Sequence, residues 1–526
     1  MRDSDPHGPR LPPALRPSQR PGSVRRQPNL ARRVVRPVRP KVAVGGRPQI
    51  PARIYAMSEV DRLNPFLLGP AIIPCPRMVM LTRDFEAPLA EGEGQFEIVS
   101  EREFRYRMTG QPVDRGHSLR ALNRQRNERY DAQNRFRLEM TDADGIEWSG
   151  GWTVPDVNCD GDQWVLIGTC DQLSTIVKGP TTGESGAEAR FLIPRNHSAT
   201  IILRRFVRSD DEAGALSAAR TVNVLGVPVR FAFDSETNVL SVSAVCTPDF
   251  PTHVAENWFG EPLCILFGQL VFPRLVERRF PDGRSMLWVR QSPAWTADST
   301  WTALWIGDDR LTDDGDFFDL YAGLLTLIAR TGQWERHTIT SFYEEVIQSA
   351  QGSRWVMALT LASSIEGQAR LLVPQGTLRT DADQAAIDSL VAHIDQWTGA
   401  SRLKDAAASA VKRVDTVSVQ RALYTLAGDG VSTRPQIASW IKIRNSVMHG
   451  TLVSPYSSEE NDQIIINLAD LLRALTRESA RRALVQTEPV FPPRPREGQS
   501  PAWAETRGSA RRKAEYGPTG KPGTPI

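Results

Sequence analysis

Cysteine is scarce in this chain of 526 residues, and the five present (Cys75, Cys159, Cys170, Cys246 and Cys264) lie far apart. None forms a CxxC pair, which argues against a cysteine zinc site and a disulfide scaffold and fits a reducing cytoplasm. Long apolar runs are also missing. The stretches around Leu266 and Leu324 fall short of the ~18 residues that a membrane-spanning helix needs, so no membrane association is expected. Lysine is rare: arginine outnumbers it 57 to 7, a bias that GC-rich coding DNA explains without a functional cause. Histidine is sparse too. His7, His117, His197, His253, His337 and His393 stand isolated, none at metal-ligand spacing, and no Gly-rich phosphate loop or nucleophile elbow appears. Neither a metal nor a cofactor is expected.

What is present is unevenly distributed. The net charge of +3 hides three different regions. Residues 1–56 carry 13 basic against 2 acidic side chains, and residues 486–526 carry 7 against 4, which leaves 57–485 at −11. The body is acidic and only the ends are basic, so the overall charge does not by itself point to nucleic acid. The segment 1–56 is crowded with proline and arginine and nearly free of aromatics. It cannot bury enough apolar surface to offset its ordering entropy and is expected to be disordered, as is 486–526. Translation starting at Met57 would also account for such a leader.

Between 57 and 305 the apolar residues alternate. Phe96/Ile98, Phe104/Tyr106/Met108 and Phe136/Leu138/Met140 each read as a strand buried on one face. Hairpins are predicted for Val229–Phe233 with Val239–Val245, and for Leu275–Phe280 with Met286–Val289 across Pro281-Asp282-Gly283. Strands so closely spaced predict an antiparallel sandwich or barrel. From 306 to 485 the period becomes helical, over 313–332, 337–350, 353–374, 381–398, 402–427, 434–449 and 458–485. Thr380 and a Ser457/Glu460 capping box mark helix starts; Gly399 and Gly450 mark stops. The predicted fold class is therefore α+β, a β-rich domain followed by an all-α bundle.

One segment carries chemistry. In Ile441-Lys442-Ile443-Arg444-Asn445-Ser446-Val447-Met448-His449-Gly450, Arg444 lies on the same helix line as Trp440 and Met448. A guanidinium there needs a partner or a cleft. Arg444, Asn445 and His449 span a wedge of roughly 140° at 100° per residue, enough to line a groove. His449 would end the helix, where the dipole favours imidazolium, and could serve as general acid or base. Arginine beside it suits a phosphate. Residues 400–449 carry eight basic against three acidic side chains, which fits the same ligand.

This Arg-x4-His spacing, with Asn445 after the arginine and Gly450 after the histidine, resembles the signature of HEPN domains. The "RNxxxHG" form, followed by one more long helix and preceded by a large β-rich domain, is most similar to the ApeA-like HEPN branch. The resemblance implies a dimeric, metal-independent endoribonuclease in which Arg444 and His449 are catalytic and Asn445 supports them. It also implies an acidic helix, matched by Ala362-Ser363-Ser364-Ile365-Glu366-Gly367-Gln368-Ala369, from which Glu366 would orient Arg444. RNA, a second copy of the chain, and a phage-derived or small-molecule trigger at the β domain are the partners it implies, in cytoplasmic phage defence.

Other readings stay open. The same bundle could bind a nucleotide or partner without catalysis. Trp148, Trp152, Trp164, Trp288, Trp295, Trp301 and Trp305 could line a ligand groove, for instance for carbohydrate, although most are expected in the core. Asp156–Gly161 imitates half a calcium loop, but Ile167 stands where the bidentate glutamate belongs, so a turn is predicted there.

Overall fold

The computed structural model describes residues 59–83, 88–128, 130–195, 197–206, 218–295, 314–331, 336–373, 381–413, 418–448 and 458–485. The basic leader and tail, Trp301, Trp305, Thr380, Ser457, His449 and Gly450 lie outside them. Among the described residues the layout is α+β: strands dominate up to residue 290, and every later element is a helix.

Fourteen strands form one sheet. They are β1 Ala71–Leu81, β2 Pro88–Ser100, β3 Glu103–Gln111, β4 Phe136–Thr141, β5 Glu147–Thr153, β6 Asp156–Asp160 and β7 Gln163–Cys170. The others are β8 Gln172–Lys178, β9 Ser185–Leu192, β10 Ala218–Val224, β11 Val227–Asp234, β12 Val239–Cys246, β13 Leu275–Arg279 and β14 Arg284–Arg290. The hydrogen-bonded order is β10-β11-β12-β9-β13-β14-β8-β5-β4-β1-β2-β3-β7-β6, antiparallel at each step. The predicted alternations are met: Phe96, Ile98, Phe104, Tyr106, Met108, Phe136, Leu138 and Met140 are all buried. Both predicted hairpins form, β11–β12 and β13–β14. In the second, Gly283 takes a φ of +83° and Asp282 accepts the Arg284 amide at 3.0 Å. The turn predicted for Asp156–Gly161 is confined to Gly161 and Asp162, because Asp156–Asp160 is itself a strand paired with β7. Twisted sheets of this many strands commonly curl on themselves. Thr153 of β5 donates from its hydroxyl to the Thr169 carbonyl of β7 at 2.8 Å, although four strands separate them in the order.

Among the described residues three α-helices interrupt the strands, and the alternation pattern missed them all. The first, α1 (Arg115–Asn127), is arginine-rich with Asp114 as its N-cap, accepting from the His117 amide. The second, α2, spans Ser198–Phe206. The third, α3 (Thr252–Phe267), is buried on almost every side. A helix covered all round has no polar stripe and hence no amphipathic period to read.

The remaining helices are α4 Asp314–Thr331, α5 Thr338–Ser349, α6 Arg354–Leu372, α7 Asp381–Gln396, α8 Ser401–Arg413, α9 Val419–Gly428, α10 Arg434–Met448 and α11 Glu459–Val485. Two details differ from expectation. The span 402–427 is two helices. Residues 414–417, Val-Asp-Thr-Val, are outside the described residues, and Ser418 starts α9 by accepting the Arg421 amide at 3.1 Å. The helix α11 is capped by Ser458, whose hydroxyl accepts the Asn461 amide at 3.3 Å, one residue later than the predicted box. Glu460 pairs with Lys442 instead.

Two hydrophobic cores lie against the sheet. One contains residues of β1–β5, β7, β8 and α1. The other runs from β9, β11 and β12 through α3 into α4–α6 and α9–α11 without a break. The change of secondary structure near residue 305 is therefore not a gap in packing. Within the bundle, Gly323 brings α4 against α11; a Cβ there would meet the Ala480 carbonyl oxygen at 2.7 Å. No helix of the described residues is long and apolar enough to cross a membrane.

Candidate functional site

The site is built on the contact between α10 and α6. Ile437, Trp440 and Ile443 are buried, and this apolar side seats α10 in the bundle. Trp440 fixes the register, its indole N–H donating to the Ala362 carbonyl of α6 at 3.0 Å. One turn further along each helix stand Arg444 and Glu366. The Arg444 Nε lies 4.0 Å from Glu366 Oε2, and the two side chains are 54% and 30% exposed. That separation is an ion pair without a direct hydrogen bond. The guanidinium carbon sits 5.6 Å from the centre of the Trp440 ring.

Arg444 thus leaves the buried line at the bundle edge, where Glu366 and the indole supply the partners its position demanded. Glu366 has a second partner, since Arg370 Nη2 donates to its Oε1 at 2.6 Å. One carboxylate therefore stands between two exposed guanidinia. Asn445 is exposed on the next residue. Lys442 faces the other way, to Glu460 of α11, and Ser446 returns its hydroxyl to the Lys442 carbonyl at 2.9 Å. His449, the fourth predicted residue, lies outside the described residues. The structure brings Arg444 and Glu366 together and leaves Asn445 exposed on the same helix as Arg444. A guanidinium steadied from one side, with its remaining N–H groups facing water, can bind a phosphate oxygen by charge-assisted hydrogen bonds.

Cysteine chemistry has no foothold among the buried thiols. Burial pushes Cys75 up to about 11, and Cys170 and Cys264 up to about 12, which leaves little thiolate at neutral pH. No group of three His, Cys, Asp or Glu among the described residues could hold a metal ion. Of the tryptophans, Trp148, Trp164 and Trp288 are buried, so they do not line an open groove. Trp152 is partly exposed with Arg83 over its ring at 5.3 Å.

Sequence reading overlooked the charged groups around α3, because their partners are distant in the chain. Glu256 is fully buried and holds Arg278 and Arg290, while Arg278 also lies 4.8 Å from the Trp288 ring. Glu261 accepts the His337 amide at 2.9 Å and the Thr340 hydroxyl at 2.6 Å. Arg274 donates to the carbonyls of Leu67, Phe66, Glu101 and Arg290. Each group is satisfied by the fold itself, so these clusters act as internal ties between sheet and helices.

In comparisons with protein-family models, curated proteins and solved structures, nothing matches this chain.

Proposed function

We propose that this chain is a metal-independent endoribonuclease of HEPN type, working on RNA in the cytoplasm as a symmetric dimer. The β-rich part, whose β5–β4–β1–β2–β3–β7 stretch we take as a barrel-like roll, would sense the trigger in phage defence. The observation that carries the reading is the pairing of Arg444 with Glu366 across α10 and α6 at 4.0 Å, five residues ahead of His449 in the sequence.

The reaction needs little beyond these groups. A general base takes the proton of the RNA 2′-hydroxyl, and the oxygen attacks the adjacent phosphorus in line. The P–O5′ bond breaks, an acid protonates the departing 5′-oxygen, and a 2′,3′-cyclic phosphate remains. Arg444 neutralises charge gathering on the phosphoryl oxygens, Glu366 steadies Arg444, and Asn445 adds a neutral hydrogen bond. His449 and its equivalent in a second copy divide the roles of base and acid.

The test incubates the full chain and its His449→Ala and Arg444→Ala variants with total RNA and tRNA in EDTA, then assays 2′,3′-cyclic phosphate ends. Cleavage by the parent chain alone supports the proposal. Equal cleavage by all three removes the motif from the chemistry. The alternative, a non-catalytic nucleotide- or partner-binding protein, is supported if RNA or nucleotide binds through Arg444 and no preparation cuts.

A further inference from the structure

A second basic feature lies in the β-rich part, on none of the residues of the α10–α6 site. It is a cleft of about 490 Å³ between the end of β1, the last turns of α1 and the start of β4, lined by Thr82, Arg83, Ala121, Arg124, Gln133, Asn134, Arg135 and Phe136. That volume falls within the ~300–1,000 Å³ common for small-molecule sites. Among the described residues its lining holds three arginines and no carboxylate, although residues 57–485 are acidic overall.

The arginines come from three elements, which a simple helix-end effect does not explain. Arg124 in the last turn of α1 suits the negative end of that helix. Arg83 and Arg135 have no such reason to be there. Arg83 is already positioned, stacked 5.3 Å over Trp152 and donating to the Ala132 carbonyl at 3.0 Å. Arg124 and Arg135 have no acidic partner among the described residues. Of the described carboxylates close by, Asp131 accepts the Gln133 amide at 2.8 Å, and Glu128 accepts the Asn134 side-chain amide at 3.0 Å. Buried Phe136 and Ala121 form an apolar floor beneath the charges. Three like charges around an apolar-floored cleft repel one another until an anion enters, and planar guanidinia match phosphate oxygens.

We propose that this cleft binds a phosphate-bearing ligand of nucleotide size, its phosphate on Arg83, Arg124 and Arg135 and its ring toward Phe136. The phosphate comes either from a free nucleotide or from one unit of an RNA strand, and both present the same chemistry. The site stands independently of the α10–α6 reading.

The experiment titrates the full chain calorimetrically with ADP and with a 2′-O-methyl oligouridylate, which has no 2′-hydroxyl to react. Saturable binding is expected. It should weaken about tenfold or more in Arg124→Gln/Arg135→Gln, while Arg124→Lys/Arg135→Lys, which keeps the charge, retains part of the affinity. Both arginines are exposed, so thermal melting should be unchanged in each double variant. ADP binding that the oligonucleotide does not displace identifies the free nucleotide as the source. Tighter oligonucleotide binding, lost in the same Gln variant and flattened in its salt dependence, identifies RNA. Absence of binding by either probe overturns the proposal, and so does binding that the Gln variant leaves unchanged.

Discussion

At Arg444 the sequence poses a question that the neighbouring helix answers. Its guanidinium shares a line with buried residues yet is itself mostly exposed, because the bundle edge falls one turn beyond Trp440. Arg444→Lys keeps the charge but loses the planar fork and the stacking on the indole. RNA cleavage by this variant is expected to fall about 100-fold, while its melting temperature stays near that of the parent, since exposed positions contribute little to stability. Single-turnover cleavage and thermal denaturation check the two halves separately. His337 makes a different statement. Its Nδ1 accepts the Ile339 amide at 3.2 Å as the N-cap of α5, a role that requires an unprotonated nitrogen. Burial lowers its pKa from 6.5 to about 4. The unfolded imidazole therefore binds its proton below about 6.5 and the folded one only near 4, so stability is lost as pH falls through that window. The loss by pH 4.5 is roughly 2–3 kcal/mol. His337→Asn keeps a capping acceptor and removes the titration, so its urea midpoint should drop less between pH 7 and 4.5. Glu261, whose carboxyl burial holds above its usual range, is common to both proteins and cancels in the comparison.

Among the elements, the α7–α8 hairpin differs from the rest of the bundle. None of its described side chains is buried, and Leu390, Trp397 and Leu403 are exposed. Two short helices without a buried face are marginal on their own. α7 carries four aspartates and no Lys or Arg, whereas α8 carries four basic residues and one aspartate. In the proposed dimer, α7 of one copy can lie on α8 of the other with complementary charge. Amide exchange over 381–413 is expected to be fast in dilute protein and to slow as concentration rises, while α6 and α11 stay protected. Fast exchange at all concentrations would exclude this hairpin from the dimer contact. The opposite case is α3, which sits where sheet and bundle meet and carries its buried glutamates already paired.

For the whole molecule, the continuous core through β9, β11, β12, α3, α4–α6 and α9–α11 has a consequence. Phe317, Phe318 and Tyr321 of α4 are buried, and Phe231 of β11 lies within 5.4 Å, centre to centre, of the Phe318 and Tyr321 rings. Tyr321 also donates to the Phe259 carbonyl of α3 at 3.1 Å. A fragment limited to residues 306–485 exposes this face. It is expected to aggregate or to melt without cooperativity, whereas the full chain melts cooperatively. Gel filtration and circular dichroism of the two proteins make the comparison, and a monomeric, sharply melting fragment would refute it.

Local pattern determined much of this protein. Alternation at Phe104/Tyr106/Met108 set which face of that strand is buried, because side-chain direction in a strand repeats every two residues. Asp282-Gly283 set a turn because glycine tolerates a positive φ. Arg444 could be picked out from its helical spacing alone, whereas Glu366 came only from the resemblance of its helix to the acidic helix of HEPN domains. Only the tertiary structure decided what depends on distant partners. It placed Glu366 beside Arg444 through the Trp440–Ala362 hydrogen bond, 78 residues apart in the chain. It gathered Arg83, Arg124 and Arg135 into one cleft from separate elements. It also buried α3 on all sides, which removed the polar stripe that would have marked that helix. Spacing along a chain records which neighbours share a face, and it holds no record of which faces meet.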